Sequence, residues 1–300
     1  MSAIGRIGFI GLGVMGEPIC RNLASKGGVP VVAFDTLEAP LARLREHGVK
    51  AVGSVREIAD KAQVIFICLP SGKHVEGVCD GPEGLLALAR RGQIVVDLGT
   101  SPMSLARRLG AAFAERGAGF ADAPIARTRQ AAQEGTLSVM VGGDAATFAQ
   151  LQPLIRCFAS DITHCGAAGS GQAIKILNNM VLMQTVNALA EAIAMGRRVG
   201  IAPELLLSTL AKGSADSFAL RNHGMKAMVP GVFPEQAFST EYAQKDIVYA
   251  LQLATETGVH APGAALVAQV LKQTIDAGHG KLYWPVLAQV VDQHQQGALR

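Results

Sequence analysis

Residues 7–23, "IGFIGLGVMGEPICRNL", constrain the fold more than any other stretch of the chain. An apolar run, Ile7–Ile10, leads directly into Gly11-x-Gly13-x-x-Gly16. A segment with apolar residues at helical spacing (Ile19, Cys20, Leu23) follows. A strand that hands over to a helix so quickly needs a backbone that turns tightly and packs closely, and glycine permits both. Gly11 allows the tight turn, Gly13 lets a ligand approach the backbone, and Gly16 lets the helix lie close to the strand.

Such a turn aims the free N–H groups and the positive dipole end of the helix at one point, which suits a pyrophosphate. Gly11, Leu12, Gly13, Val14, Met15 and Gly16 are therefore expected to bind a dinucleotide cofactor. The next apolar run ends at Asp35, nineteen positions past Gly16. That is close to the spacing at which a carboxylate accepts hydrogen bonds from the ribose hydroxyls. Asp35 would repel a 2′-phosphate, and Thr36-Leu37-Glu38 brings no arginine to bind one. NAD is favoured over NADP.

The rest of the first half repeats the alternation. Strand signals at Arg6–Ile10, Val31–Asp35, Val64–Leu69, Ile94–Leu98, Gly119–Asp122 and Ser138–Gly142 are interleaved with amphipathic segments such as Leu41–His47, Gly84–Arg90 and Leu105–Arg116. Short, fully apolar strands between helices predict a parallel sheet covered on both faces. Past the Gly-rich block "HCGAAGSGQ" strand signals almost vanish. One long helix is predicted from Ala173 to Arg198. Further helices follow at Pro203–Ala211, Tyr242–Thr257, Ala264–Ala277 and Trp284–Gln295. The expected architecture is an α/β Rossmann-type doubly wound sheet over residues 1–165, then an all-α domain over 166–300, the two joined by a long interdomain helix.

Composition excludes several function classes. The net charge is +3 and no run of Lys or Arg exceeds two, so there is no nucleic-acid stripe or polybasic membrane patch. The five cysteines are scattered with no C-x-x-C, which reads as buried free thiols in a reducing cytosol rather than disulfides or a metal site. The N-terminus has no signal-peptide pattern, and no apolar run reaches membrane-span length. The expectation is a cytoplasmic protein with a small-molecule substrate.

One helical stretch resists a purely structural reading. "GQAIKILNN", Gly171–Asn179, sets Lys175, Asn178 and Asn179 in an otherwise apolar run. Burying an unpaired ammonium costs several kcal/mol, so this site is wet, paired or chemical. Spacings of three and four put all three side chains on neighbouring parts of one helical face.

Taken in order, five segments resemble the β-hydroxyacid dehydrogenase family, the group of 3-hydroxyisobutyrate dehydrogenase. They are "GFIGLGVMGEPICRNL", "CLPSGKHVEGV", "DAPIARTRQAAQEGTLSVMVGG", "GSGQAIKILNN" and "FSTEYAQKD". The resemblance implies hydride transfer between NAD and a short 3-hydroxy acid or its semialdehyde. Lys175 matches the family's general acid–base. Asn179 matches the asparagine that orients substrate and lysine, with Asn178 beside it. Leu69, Pro70 and Thr100 fall where the family lines the cofactor, and Lys245 matches a late lysine that closes on it. Homodimers or homotetramers are usual in the family, and Met180, Met183 and Met195 would suit a subunit interface.

The chain departs from the family in one loop. The usual Ser-Gly-Gly after "DAPV" reads Ala126-Arg127-Thr128 here. A guanidinium is a rigid fork suited to carboxylate, sulfonate or phosphate oxygens, so Arg127 and Thr128 are expected to bind an anionic substrate end. The alternative is that Arg127 faces solvent or braces the loop by pairing with Glu134. The loop resembles that of the sulfolactaldehyde reductase branch, but Ala126 and Leu182 depart from that branch, so carboxylate and sulfonate ends both stay open. Two other readings are an imine reductase of the same superfamily, against which Lys175 argues, and a non-catalytic NAD-binding sensor.

Overall fold

The first strand, β1 (Ile7–Ile10), is buried along its whole length. Its side chains alternate between two cores: Ile7 and Phe9 join one, Ile10 the other. That division is what a strand covered on both faces requires. In this computed structural model, which describes residues 4–235 and 237–293, the chain divides into two compact units, Met1–Lys175 and Ile176–Arg300.

The first unit continues with α1 (Gly16–Lys26), β2 (Val31–Phe34), α2 (Glu38–Arg45), β3 (Lys50–Ala51), α3 (Val55–Lys61), β4 (Val64–Ile67) and α4 (Gly72–Cys79). Then come β5 (Ile94–Asp97), α5 (Met103–Glu115), β6 (Gly119–Asp122), β7 (Ile125–Ala126), α6 (Arg129–Glu134), β8 (Leu137–Gly142), α7 (Ala145–Ile155) and β9 (Ala159–Gly166). The sheet order is β3-β2-β1-β4-β5-β6-β8-β7, with β9 on β8. From β3 to β6 all pairings are parallel, as the apolar runs predict. Strand β8 then pairs antiparallel with β6 and β7. The connections reverse direction between β1 and β4, and ligands of open α/β sheets bind at the carboxyl ends of the strands at such a switch point.

Two sequence expectations need correction, and some elements were not expected at all. Gly84–Arg90 is a series of turns, and the helix of that connection is α4 instead. Strand β9 and helix α7 carry no clear signal. Residues of β9 are exposed or half-exposed over most of its length, so no apolar run marks it, and its pairing with β8 holds it in the sheet. Trp284 opens a 3₁₀ turn, Trp284–Val286, ahead of the last helix; Pro285 takes an early position of that turn. Residues 294 and 295 lie outside the described residues.

Helix α8 (Ser170–Arg198) runs unbroken for 29 residues. In the second unit it is followed by α9 (Pro203–Leu210), a π-helical segment Leu220–Met228, α10 (Thr240–Thr257), α11 (Pro262–Thr274) and α12 (Leu287–Gln293). Ser239 caps α10, its hydroxyl accepting from Tyr242 N at 3.3 Å, and Gly258 ends it in the left-handed region. All nine named strands belong to the first unit.

Candidate active site

The turn after β1 has the geometry its glycines imply. Gly11 has φ +91°, and a Cβ there would lie 2.4 Å from the Cys68 carbonyl oxygen. Gly16 approaches so closely that a Cβ would meet Gly11 O at 2.0 Å. Gly13 has no atom within 4 Å of a built Cβ, so its backbone is open to a ligand. No side chain caps α1; within its first turn Glu17 N donates to Gly13 O at 3.1 Å and Pro18 has no N–H. Glu17, in the first turn, is held by Arg43 in a two-pronged pair of 2.7 Å contacts, which keeps its carboxyl below the usual range and screens its charge. These features fit a dinucleotide pyrophosphate.

Asp35 lies just past β2. Its carboxylate accepts Leu12 N at 2.5 Å and Leu37 N at 2.8 Å. The carboxylate is therefore oriented by two backbone donors before any ribose reaches it. Leu69 and Pro70 follow β4, and Thr100 follows β5, at the same carboxyl end of the sheet. Gly99 directly precedes Thr100. A Cβ there would sit 3.0 Å from Leu69 O and 3.1 Å from Asp97 Oδ1, so a side chain would press on the strand ends.

The start of α8 is fastened to these strand ends by buried polar groups that the sequence does not single out. Asp122, at the end of β6 and fully buried, accepts Gly169 N at 2.6 Å and Gln172 N at 2.7 Å. Burial pushes its carboxyl above the usual range, against the pull of the Gly169, Gln172 and Gly171 backbone N–H groups. Gly171 must be glycine for this approach, because a Cβ would meet Met140 O at 2.3 Å. Gln172, also fully buried, accepts Ser101 N at 3.0 Å and donates to Gly99 O at 2.9 Å and Asp97 Oδ2 at 3.4 Å. Asp97 in turn accepts Ser101 Oγ and Gly99 N, each at 2.8 Å. Lys175, half-buried, follows one turn after Gln172.

The second unit holds a separate polar cluster. Asn178 is exposed and donates to Asn179 Oδ1 at 3.0 Å. Asn179 is buried and donates to Asp246 Oδ2 at 2.7 Å. Asp246, also buried, lies 3.1 Å from Lys245 Nζ, and that ammonium sits 5.3 Å from the ring centres of both Tyr242 and Tyr249. Asp246 was invisible to residue-by-residue reading; its one signal is that it follows Lys245 directly.

Arg127 does not present a free fork. It is the only non-glycine residue with positive φ among the described residues, at +86°. Its guanidinium donates to Asp161 Oδ2 at 2.6 Å, Ser160 Oγ at 2.8 Å and Thr136 O at 2.5 Å. Glu134 instead accepts from Gln130. The Ser160 hydroxyl and then Arg127 hold the Asp161 carboxyl below its usual range. Thr128 caps α6, its hydroxyl accepting from Ala131 N at 3.3 Å. Two smaller expectations also shift. Cys20, Cys79 and Cys157 are buried thiols, but Cys68 and Cys165 are only half-buried. Met183 is core, whereas Met195 is exposed.

A glycine turn open to a pyrophosphate, an oriented Asp35 and a parallel sheet with its switch point at that turn define a protein of the NAD-binding class. The comparisons with known proteins agree. Residues 6–166 match the family described as the NAD-binding domain of 6-phosphogluconate dehydrogenase. Residues 169–283 match the NAD-binding family of NADP-dependent 3-hydroxyisobutyrate dehydrogenase. The chain is 35% identical to 2-(hydroxymethyl)glutarate dehydrogenase of Eubacterium barkeri, over 92% of this chain and 91% of that protein. It is 33% identical to mitochondrial 3-hydroxyisobutyrate dehydrogenase of Mus musculus, over 92% of this chain and 83% of that protein. A solved structure of Mycobacterium tuberculosis 3-hydroxyisobutyrate dehydrogenase with L-serine superposes with a TM-score of 0.88 at 30% identity, covering 96% and 99% of the two chains. The chain belongs to the 3-hydroxyisobutyrate dehydrogenase family and is an NAD-dependent dehydrogenase acting on hydroxyl groups.

Proposed function

We propose that the protein interconverts a short 3-hydroxy acid and its semialdehyde, with Lys175 as the proton relay. The observation that carries this reading is the seat of Lys175. It is half-buried, one turn into a helix that is fastened to the carboxyl ends of β5 and β6, on the side of the sheet where the cofactor turn opens. Bound NAD supplies the hydride acceptor. In oxidation the neutral Lys175 amine takes the hydroxyl proton; in reduction its ammonium returns that proton to the developing alkoxide and stabilises the negative charge. Asn178 and Asn179 are assigned to the substrate, Asn179 with its amide already oriented by Asp246. Lys245 is assigned to the cofactor, as are Leu12, Val14, Met15, Leu69, Pro70 and Thr100.

The substrate class follows from chemistry shared by the relatives. 3-Hydroxyisobutyrate, 2-(hydroxymethyl)glutarate and L-serine all carry a primary alcohol on the carbon next to the one bearing a carboxylate. Arg127 and Thr128 are the residues assigned to the anionic end. For Arg127 this means that the anion replaces Asp161 on the guanidinium or shares it.

The test is NADH oxidation with short aldehydes matched in length and ending in carboxylate, sulfonate or no charge. Arg127→Gly is the informative variant, because glycine accepts the positive φ and removes only the side chain. Selective loss of one anionic class in that variant supports the anchor. Equal turnover of charged and uncharged aldehydes by both proteins sinks the anionic-end assignment.

Two coarser features complete the reading. Among the described residues, thirteen of the sixteen exposed large apolar side chains belong to the second unit, Val181, Val248 and Leu266 among them. That surface favours a homodimer or homotetramer, which light scattering would detect. No helix among the described residues is long and apolar enough to cross a membrane. The five free thiols suit a reducing compartment, so the cytoplasm is the proposed location.

A further inference from the structure

We infer that Gln172 is a positioning residue for the proton relay, locking the Lys175 helix to the loop that brackets Thr100. The inference rests on Lys175 being that relay. Gln172 makes both ends of its carboxamide count. Its Oε1 accepts from Ser101 N, and its Nε2 donates to Gly99 O and Asp97 Oδ2. Gly99 and Ser101 lie immediately before and after Thr100, the residue assigned to the cofactor, and Asp97 ends the strand that leads to it. The Gln172 backbone N–H meanwhile binds Asp122 at the end of the neighbouring strand. One buried residue thus ties α8 to β5 and β6 at once.

Lys175 is three residues along, about 4.5 Å further up the axis and on a neighbouring part of the helix surface. A lysine stem has four rotatable carbons, so its ammonium is only as well placed as the backbone that carries it. Proton relay demands hydrogen-bond reach to the reacting oxygen, and a displacement of about 1 Å can cost about 100-fold in rate. A helix free to slide against the Thr100 loop would keep its cofactor turn intact and still lose that reach. The network is buried, and each of its groups is paired by the others, so it holds one arrangement rather than several.

Two variants test this with NAD and 3-hydroxyisobutyrate, or with the aldehyde of the panel that is best reduced. Gln172→Met keeps the volume and removes every side-chain hydrogen bond. The expected result is a fall in kcat of about 10- to 100-fold, with KM and NAD affinity within about twofold of the parent. Gln172→Glu is nearly isosteric. Its protonated carboxyl still donates to Gly99 O or Asp97 and accepts from Ser101 N, whereas its ionised form faces Asp97 as a like charge. Burial and that neighbour raise its pKa, so activity relative to the parent is expected to recover on the acid side and to fall as pH rises.

A parent-like kcat in Gln172→Met overturns the inference. So does an equal loss of NAD binding, which marks a merely structural role, or a Gln172→Glu pH profile parallel to that of the parent. If Gln172→Met does not fold, the Gln172→Glu profile decides alone. Lys175→Met run alongside separates the two levels. Intact turnover in Lys175→Met removes the relay itself, whereas its loss together with a silent Gln172→Met removes only the positioning role.

Discussion

The two units of the chain treat buried polar groups differently. In the first, each buried side chain of this kind is answered from within. Asp97 and Asp122 bind loop and helix N–H groups, Gln93 binds the Ala59 and Ala62 carbonyls, and Asn22 binds those of Pro18 and Ala132. In the second, Asn187 Oδ1, His223 Nε2, Gln244 Oε1, Asp246 Oδ1 and Trp284 Nε1 have no hydrogen-bond partner, and among the described residues all such buried atoms lie there. Asp246 Oδ1 does lie within ion-pair distance of Lys245, but not in hydrogen-bond alignment. The exposed apolar side chains are concentrated in the same unit. In this chain the unit with the sheet satisfies its own buried polar side chains, while the helical unit leaves five buried side-chain atoms that water, a ligand or another copy could answer.

The contrast can be broken in several ways. The largest expected effect is chemical. Lys175→Met is expected to lower kcat by about 100-fold or more while NAD binding, read by NADH fluorescence, is retained. Loss of both together would mean that the first unit depends on Lys175 for its structure.

A smaller effect comes from His223. It is buried in the second unit, with Nδ1 2.5 Å from the Tyr283 hydroxyl, and burial pushes the imidazole down to about 4. The neutral form is the folded one. Below about pH 6.5 the unfolded chain takes up a proton that the folded chain refuses, so stability falls from there down to about pH 4 and is unaffected above. The full window corresponds to on the order of 3 kcal/mol. Urea unfolding across that range should show a shallower slope in His223→Gln, and identical slopes would refute the assignment.

A matched pair tests the comparison most directly. Gln93→Leu in the first unit removes two buried hydrogen bonds and leaves the Ala59 and Ala62 carbonyls to Arg90 alone, which should cost about 2 kcal/mol. Trp284→Phe in the second unit removes a buried N–H that has no partner, so the loss of ring area is partly offset and the cost should be visibly smaller. Equal shifts in denaturation midpoint would remove the distinction between the units.

The smallest effect concerns the cofactor. Asp35→Ser should weaken NAD by about tenfold, since one charge-assisted contact to the ribose is worth about 1.5 kcal/mol, and should raise the relative use of NADP. Unchanged preference would locate the selectivity elsewhere in the turn.

Much of this site was legible before any coordinates. The glycine turn and Asp35 are local patterns that spacing is enough to read, and the long helix carrying Lys175 is read from its apolar run, while the role proposed for Lys175 came from the family resemblance. Arg127 was not legible, because its partner Asp161 lies 34 positions away on a strand that shows no apolar signal. The clamp on α8 was hidden for the same reason, since Gln172 and Ser101 are 71 positions apart.

By itself, then, the sequence determined the strand–turn–helix unit, the preference for NAD, the alternation that builds a parallel sheet and the residues offered for hydride and proton chemistry. The strands, helices and turn follow from side-chain periodicity and from what glycine allows a backbone to do, the preference for NAD from the charge of Asp35, and the chemical residues from the family resemblance. Only the tertiary structure decided which carboxylate holds Arg127, which carboxamide fastens the Lys175 helix and which buried acid orients Asn179. Those choices depend on strand order, because sheet neighbours are set by the burial of whole faces and not by distance along the chain.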